Sequence, residues 1–261
     1  MRIKEYVKPA TLEDAYRVLH KAGNNVILAG CTLLRTRKVD IDIAIDLSRL
    51  GLRYITVTQK QIEMGAMTTL RDMEVHADLR MLFSGILPKT VQFGSVQLRN
   101  MATVGATAYC RFGLSDLLTA LVSLEAEVAF FRAGKMKLAQ FLEQGMPNDI
   151  LEKIIIPLDT SVASFQAVRK AYNDFALLNI AVAQNGSDLK IVIGARPGRP
   201  KVAVAASQYL TQSNFTENDI SKAAALAAGE LSFSDDMAGS GEYRRLICEK
   251  IVRQAVKEVL R

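Results

Sequence analysis

The chain is poor in the side chains that hold metals. It has two histidines, His20 and His76, and neither lies at ligand spacing from a cysteine or carboxylate pair. Its three cysteines, Cys31, Cys110 and Cys248, fall short of the roughly four that an iron–sulfur cluster needs. They are also too scattered for a disulfide framework, so a reducing, cytoplasmic compartment is expected. No apolar run approaches the roughly 20 residues of a membrane span. The opening Met1-Arg2-Ile3-Lys4-Glu5-Tyr6 lacks the apolar stretch of a signal peptide. The net charge of +6 is spread along the chain; its densest group, Arg35, Arg37 and Lys38, has no interleaved aromatics. That argues against nucleic acid and for a solvated surface, or for a site that meets an anionic ligand or partner. What is present is a core-forming mixture, 49% hydrophobic over 261 residues, enough for two domains.

The periodicity changes twice along the chain. Thr11 is placed to cap a first helix, with Asp14 in the reciprocal position. Leu12, Ala15, Leu19 and Ala22 give that helix one apolar stripe, and Gly23 stops it. Asn25 to Ala29 reads as a buried strand ending at Gly30, and Ile43 to Leu47 as a second, which suggests a small parallel βαβ-like lobe. Hairpins are then expected at Tyr54–Thr58 with Ile62–Met64, and at Glu125–Phe131 with Met136–Leu138 around Arg132 to Lys135. Leu151 to Ile156 is a further strand, and helices are expected over Thr69–His76 and Asp116–Leu124. After about Asp159 come strands Val162–Val168, Leu177–Gln184 and Leu189–Ile193, the last two joined by Asn185-Gly186. Helices follow near Lys201–Leu210, Glu217–Ala228 and Tyr243–Leu260. The expected fold is α+β. A two-part first domain covers 1–158, with a parallel lobe of about 1–52 and a mostly antiparallel lobe of 53–158. A second domain of three antiparallel strands and three helices covers 159–261.

Two loops draw attention as places for chemistry. Leu28-Ala29-Gly30-Cys31-Thr32-Leu33-Leu34 follows a buried strand directly. A glycine there lets the backbone turn sharply and brings N–H groups to an anion, and Thr32 adds a hydroxyl. Gln97-Leu98-Arg99-Asn100-Met101-Ala102-Thr103-Val104-Gly105-Ala106-Thr107 again joins small residues, glycine and hydroxyls. It has neither the lysine of a P-loop nor a G-x-G-x-x-G. Taken singly, each loop reads equally as a tight turn that needs glycine.

In order and in context the loops carry more. The chain resembles the FAD-binding subunits of the molybdenum hydroxylases, such as the xanthine dehydrogenase flavin domain and the carbon monoxide dehydrogenase medium chain. Ala29-Gly30-Cys31-Thr32-Leu33-Leu34 is similar to that family's A-G-G-T-D-L, and Ile45-Asp46-Leu47 and Met64-Gly65-Ala66 to its I-D-L and I-G-A. The 97–107 segment is similar to Q-I-R-N-x-A-T-I-G-G-N. Ser240-Gly241-Glu242-Tyr243-Arg244-Arg245 is similar to S-x-x-Y-R-R. The likeness covers nearly the whole chain.

The resemblance implies bound FAD. By position, Ile27, Leu28, Ala29, Gly30, Cys31, Thr32, Leu33 and Leu34, with Thr103, Val104, Gly105, Ala106 and Thr107, are expected to contact it. Asp116 looks like the acid on the adenosine side, Leu151 is expected beside the isoalloxazine ring, and Gln166 stands where some relatives carry a lysine near the flavin. Cys31, Leu33, Ala106 and Thr107 depart from the family pattern; a cysteine at position 31 is strained if φ there is positive. The implied function is electron transfer from iron–sulfur clusters through FAD to NAD or another acceptor. Those clusters and a molybdopterin belong to partner subunits. The alternatives are a degenerate fold without FAD that serves as a structural subunit, and a stand-alone flavin reductase.

Overall fold

The computed structural model describes residues 2–144, 148–160 and 162–261. The first lobe holds β1 (Arg2–Val7), α1 (Leu12–Leu19), β2 (Asn25–Leu28) and β3 (Asp40–Asp46). The three strands are parallel, in the order β1-β3-β2. Thr11 caps α1 by accepting from the Asp14 amide at 3.1 Å. Ala15 on α1 packs with Ile43, Ile45 and Leu47 from the sheet and with Ile150 from the next lobe. β1 is an addition to the sequence reading. Five of its six side chains are exposed, so burial imposes no alternation that could betray it.

The second lobe runs β4 (Ile55–Val57), β5 (Gln61–Gly65), α2 (Leu70–Val75), α3 (Ala77–Met81), α4 (Ile86–Lys89), α5 (Val96–Met101), α6 (Val104–Tyr109), α7 (Asp116–Ser123), β6 (Glu127–Phe130), β7 (Gly134–Lys137), α8 (Leu138–Glu143) and β8 (Leu151–Pro157). Its sheet is antiparallel, in the order β4-β5-β8-β6-β7. Ile62, Met64, Val128, Ile154 and Ile156 turn one face of that sheet into the largest core. Leu138 opens a helix rather than closing the second hairpin. The 97–107 segment, read from sequence as a loop, is two helical turns. α5 and α6 are capped by the hydroxyls of Ser95 and Thr103, which accept from the amides of Leu98 and Ala106.

β9 (Val162–Val168), β10 (Leu178–Asn185), β11 (Asp188–Gly194) and β12 (Lys201–Val202) form the last sheet, antiparallel in the order β12-β11-β10-β9. α9 (Val204–Thr211), α10 (Glu217–Glu230) and α11 (Gly241–Val259) follow. Alternation along β10 sends Ile180 and Val182 to these helices, and Ala181 and Ala183 to the core of the second lobe. α7 is buried along its whole length because it lies between that core and the last sheet. Its first residue therefore carries a carboxylate into the interior. Ser240 caps α11, and Arg244 in the next turn is fully buried, donating to the carbonyls of Leu177, Ser234 and Gly239 and to Asp236. Among the described residues, no helix is long and apolar enough to cross a membrane.

Candidate functional site

The first segment leaves the carboxyl ends of the parallel strands. In open α/β sheets that edge is where ligands settle. Gly30 sits against the chain just before α6. A Cβ at Gly30 would lie 1.7 Å from the Met101 carbonyl oxygen and 3.0 Å from the Ala102 nitrogen. Only a hydrogen fits, so the two sequence-predicted segments are in direct backbone contact. Cys31 has φ 54, the left-handed conformation that glycine adopts without strain. Its thiol donates to the Ala29 carbonyl at 3.3 Å, and burial pushes its pKa up, so it stays a neutral thiol.

Residues 29–34 are half-buried. The amides of Gly30, Cys31, Thr32 and Leu33 donate to no group among the described residues. They lead into a 3-10 turn at Leu34–Thr36, where the Leu34 amide also has no acceptor among the described residues, while Arg35 and Thr36 donate to the carbonyls of Cys31 and Leu33. A run of half-buried donors without acceptors is suited to an anion. Arg35, Arg37 and Lys38 lie exposed just beyond, with no ion pair among the described residues. The nearest acid is already occupied. Asp46, opposite Leu28 in the sheet, accepts from the Tyr6 hydroxyl and from the Ser48 amide at 2.8 Å, and pairs with Lys8 at 3.2 Å. Burial pushes its carboxyl up, but those hydrogen bonds outweigh it and hold the pKa at about 2.

The second segment is differently built. Val104 donates to the Thr68 carbonyl at 2.9 Å and Gly105 to the Ala66 carbonyl at 3.0 Å. Ala106 donates to the Thr103 hydroxyl at 3.2 Å, and Thr107 to the Thr103 carbonyl at 3.0 Å. A Cβ at Gly105 would meet the Ala66 Cβ at 2.6 Å. Four of the five amides are thus committed: those of Val104 and Gly105 hold α6 on the turn after β5, and those of Ala106 and Thr107 close the first turn of α6 itself. Thr103 keeps an amide without an acceptor among the described residues.

The remaining expected residues lie elsewhere. Leu151 opens β8 and is 5% exposed, packed into the core of the second lobe. Gln166 pairs with Ile180 in register, and its side chain faces α11, where it donates to Glu258 at 2.7 Å. Asp116 opens α7 in the interior. Its carboxylate is 2% exposed and accepts from Asn179 at 2.6 Å and from Arg169. Burial pushes its pKa up, against the opposing pull of Arg169 and Asn179.

Two features escaped the sequence reading. Arg99, in the segment resembling Q-I-R-N, is buried and donates to Glu74 and to the carbonyls of Phe93 and Gly94, fastening that stretch to α2. Phe175, between β9 and β10, packs its ring tilted against Phe93 and edge-on against Phe112, with centroids 5.5 and 5.1 Å away. In the same junction a cavity of about 420 Å3 is lined by Lys89, Gln92, Ala167 and the 169–172 stretch. Long-range aromatic contacts of this kind leave no short-range mark in a sequence.

Comparisons with known proteins bear on the whole chain. Residues 1–159 match the FAD binding domain in molybdopterin dehydrogenase, and residues 163–259 match the CO dehydrogenase flavoprotein C-terminal domain. The glyceraldehyde dehydrogenase medium chain of Sulfolobus acidocaldarius is 23% identical, over 97% of each chain. The nicotinate dehydrogenase FAD-subunit of Eubacterium barkeri is 28% identical, over 73% of this chain and 70% of that one. The crystal structure of quinoline 2-oxidoreductase from Pseudomonas putida 86 shares the fold, with a TM-score of 0.88 at 22% identity over 99% and 97% of the two chains.

Proposed function

Because the chain belongs to the family of FAD-binding domains of molybdopterin dehydrogenases, we propose that it is the electron-transfer subunit of a multi-subunit molybdenum hydroxylase, receiving electrons from iron–sulfur clusters on one partner and passing them through FAD to NAD or another acceptor. A molybdopterin subunit oxidises the substrate in this reading, as befits a chain similar to the medium and FAD subunits of several dehydrogenases. We divide the chain near residue 158 into the FAD-binding domain and a C-terminal domain.

The residues present fit the cofactor. The observation that carries the reading is the row of open amides from Gly30 to Leu33, held against Met101 by a glycine that tolerates no side chain. We assign the FAD diphosphate to that row, with Ile27 to Leu34 and the start of α6, Thr103 to Thr107, around it. Leu33 in place of an acid removes a repulsive charge from the anion's surroundings. Bound FAD supplies the redox chemistry; the protein supplies position and electrostatics. Leu151 would support the ring region from within the core.

The reading is tested on the purified chain. Acid precipitation is expected to release about one FAD per chain into the supernatant. Flavin left on the pellet would mean a covalent link. A chain that neither carries nor takes up FAD would establish the degenerate fold, which the substitutions at Cys31 and Ala106 favour. Full turnover by the isolated chain, with no partner, would establish a stand-alone reductase.

A further inference from the structure

We propose that Asp116 is a positioning residue, acting through Arg169 and Asn179 to fasten the stretch between β9 and β10 onto the FAD-binding domain, and that it makes no contact with FAD itself. The network crosses the junction of the two domains. Asp116 opens α7, Arg169 follows the last residue of β9, and Asn179 lies near the start of β10. One carboxylate oxygen accepts from Asn179 Nδ2 at 2.6 Å and the other from Arg169 Nη2. Asn179 Oδ1 in turn accepts from the Thr119 hydroxyl, one turn along α7, at 2.8 Å.

The network is closed on its β11 side. A Cβ at Gly194 on β11 would lie 2.1 Å from Thr119 Oγ1 and 2.4 Å from Asn179 Oδ1. No space remains for a ligand hydroxyl between Asn179 and β11, and the Asp116 carboxylate itself is 2% exposed. The far side of Arg169 reaches the next stretch of chain: its Nη1 donates to the Asp174 carbonyl at 2.9 Å. The Asp174 carboxylate accepts from the Ala171 amide at 3.0 Å, and the Asn173 carbonyl accepts from the Gly94 amide at 3.3 Å. Phe175 then packs against Phe93 and Phe112. Residues 169–175 therefore sit where they do because a buried carboxylate holds their first residue. A carboxylate taken from water persists only while its partners stay in place, so removing one of them frees the others.

The test uses the full chain and three variants: Asp116→Asn, Arg169→Met and the double variant, which removes the buried charge altogether and so guards against simple misfolding. Hydrogen exchange of residues 169–176, measured without added FAD, is expected to quicken by about tenfold or more in every variant. FAD affinity, by fluorescence titration, is expected to fall by the same factor, within about twofold, in both single variants, with no further loss in the double one. Native exchange at 169–176 in the double variant would overturn the proposal. So would additive losses of FAD affinity, or a loss of about a hundredfold in Asp116→Asn with Arg169→Met unchanged, since that is the signature of direct contact. The affinity arm rests on the FAD reading; a wild-type chain that takes up no FAD would sink that reading, and exchange alone would then decide.

Discussion

Gly30 to Leu33 and Thr103 to Thr107 lie side by side, yet their backbones are used in opposite ways. Four successive amides of the first have no acceptor among the described residues, while four of the second are spent on Ala66, Thr68 and Thr103. Both depend on a glycine packed against another backbone, Gly30 on Met101 and Gly105 on Ala66. In the function we propose, the first segment is a cradle and the second is the clamp that holds it. A motif of small residues and hydroxyls can thus serve either purpose. Which one follows from where the N–H groups point, and that is set by contacts far away in sequence.

The largest effect should come from separating the two. Gly30→Ala forces a methyl group into the Met101 carbonyl. FAD affinity, followed by flavin fluorescence, is expected to fall by about a hundredfold, in line with an overpacking cost of about 3 kcal/mol. Near-native affinity would show that the segments can move apart freely, and the cradle-and-clamp distinction would lapse.

The frame beneath the cradle can be probed by pH. The Asp46 carboxyl is held at about 2 against an ordinary 3.8. A depressed carboxylate stabilises the folded chain above its unfolded pKa, and that contribution is lost as pH falls from about 4 through about 2. Asp46→Asn is therefore expected to be less stable by about 2 kcal/mol at neutral pH, by denaturant unfolding, with the difference closing towards pH 2. A gap that stays constant with pH would mean that Asp46 contributes through shape alone.

Much of this architecture could be read from residues. The helix capped by Thr11, the hairpins around Asn185-Gly186 and residues 132–135, and the long apolar stripe of α11 all announce themselves locally. β1 did not, because its side chains face solvent. The helices of the 77–101 stretch did not, because each is four to six residues long, too short for a periodic stripe. The positive φ values of Phe83 and Ser84 are invisible for the same reason: neither residue type favours them. Within the site, Gly30 and the strain at Cys31 were legible as backbone requirements. The hydrogen bonds of Asp116 and Gln166 were not. Their partners Asn179 and Glu258 lie 63 and 92 residues away, and strand register, rather than local pattern, decides which side chains meet.

Smaller effects sharpen the contrast. Cys31→Gly should relieve the left-handed strain and raise the unfolding free energy by about 1 kcal/mol, read as a higher melting temperature, with FAD affinity held or improved. A lower melting temperature would mean that the thiol's bond to Ala29 outweighs the strain. Least of all should come from the clamp's outer face. Ala106→Gly with Thr107→Asn is expected to shift FAD affinity by less than about threefold, a fraction of one hydrogen bond's worth, because the amides there are already committed. A tenfold gain in the same titration would make the second segment a phosphate cradle too.

The most direct measurement is a comparison of ligands on the wild-type chain. If the open amides from Gly30 to Leu33 hold the diphosphate, the apo-chain should bind FAD at least about a hundredfold more tightly than riboflavin, which has the ring and no phosphate, since charge-assisted hydrogen bonds contribute about 1.5–3 kcal/mol each. Equal affinity for the two would contradict the account and place the binding energy elsewhere.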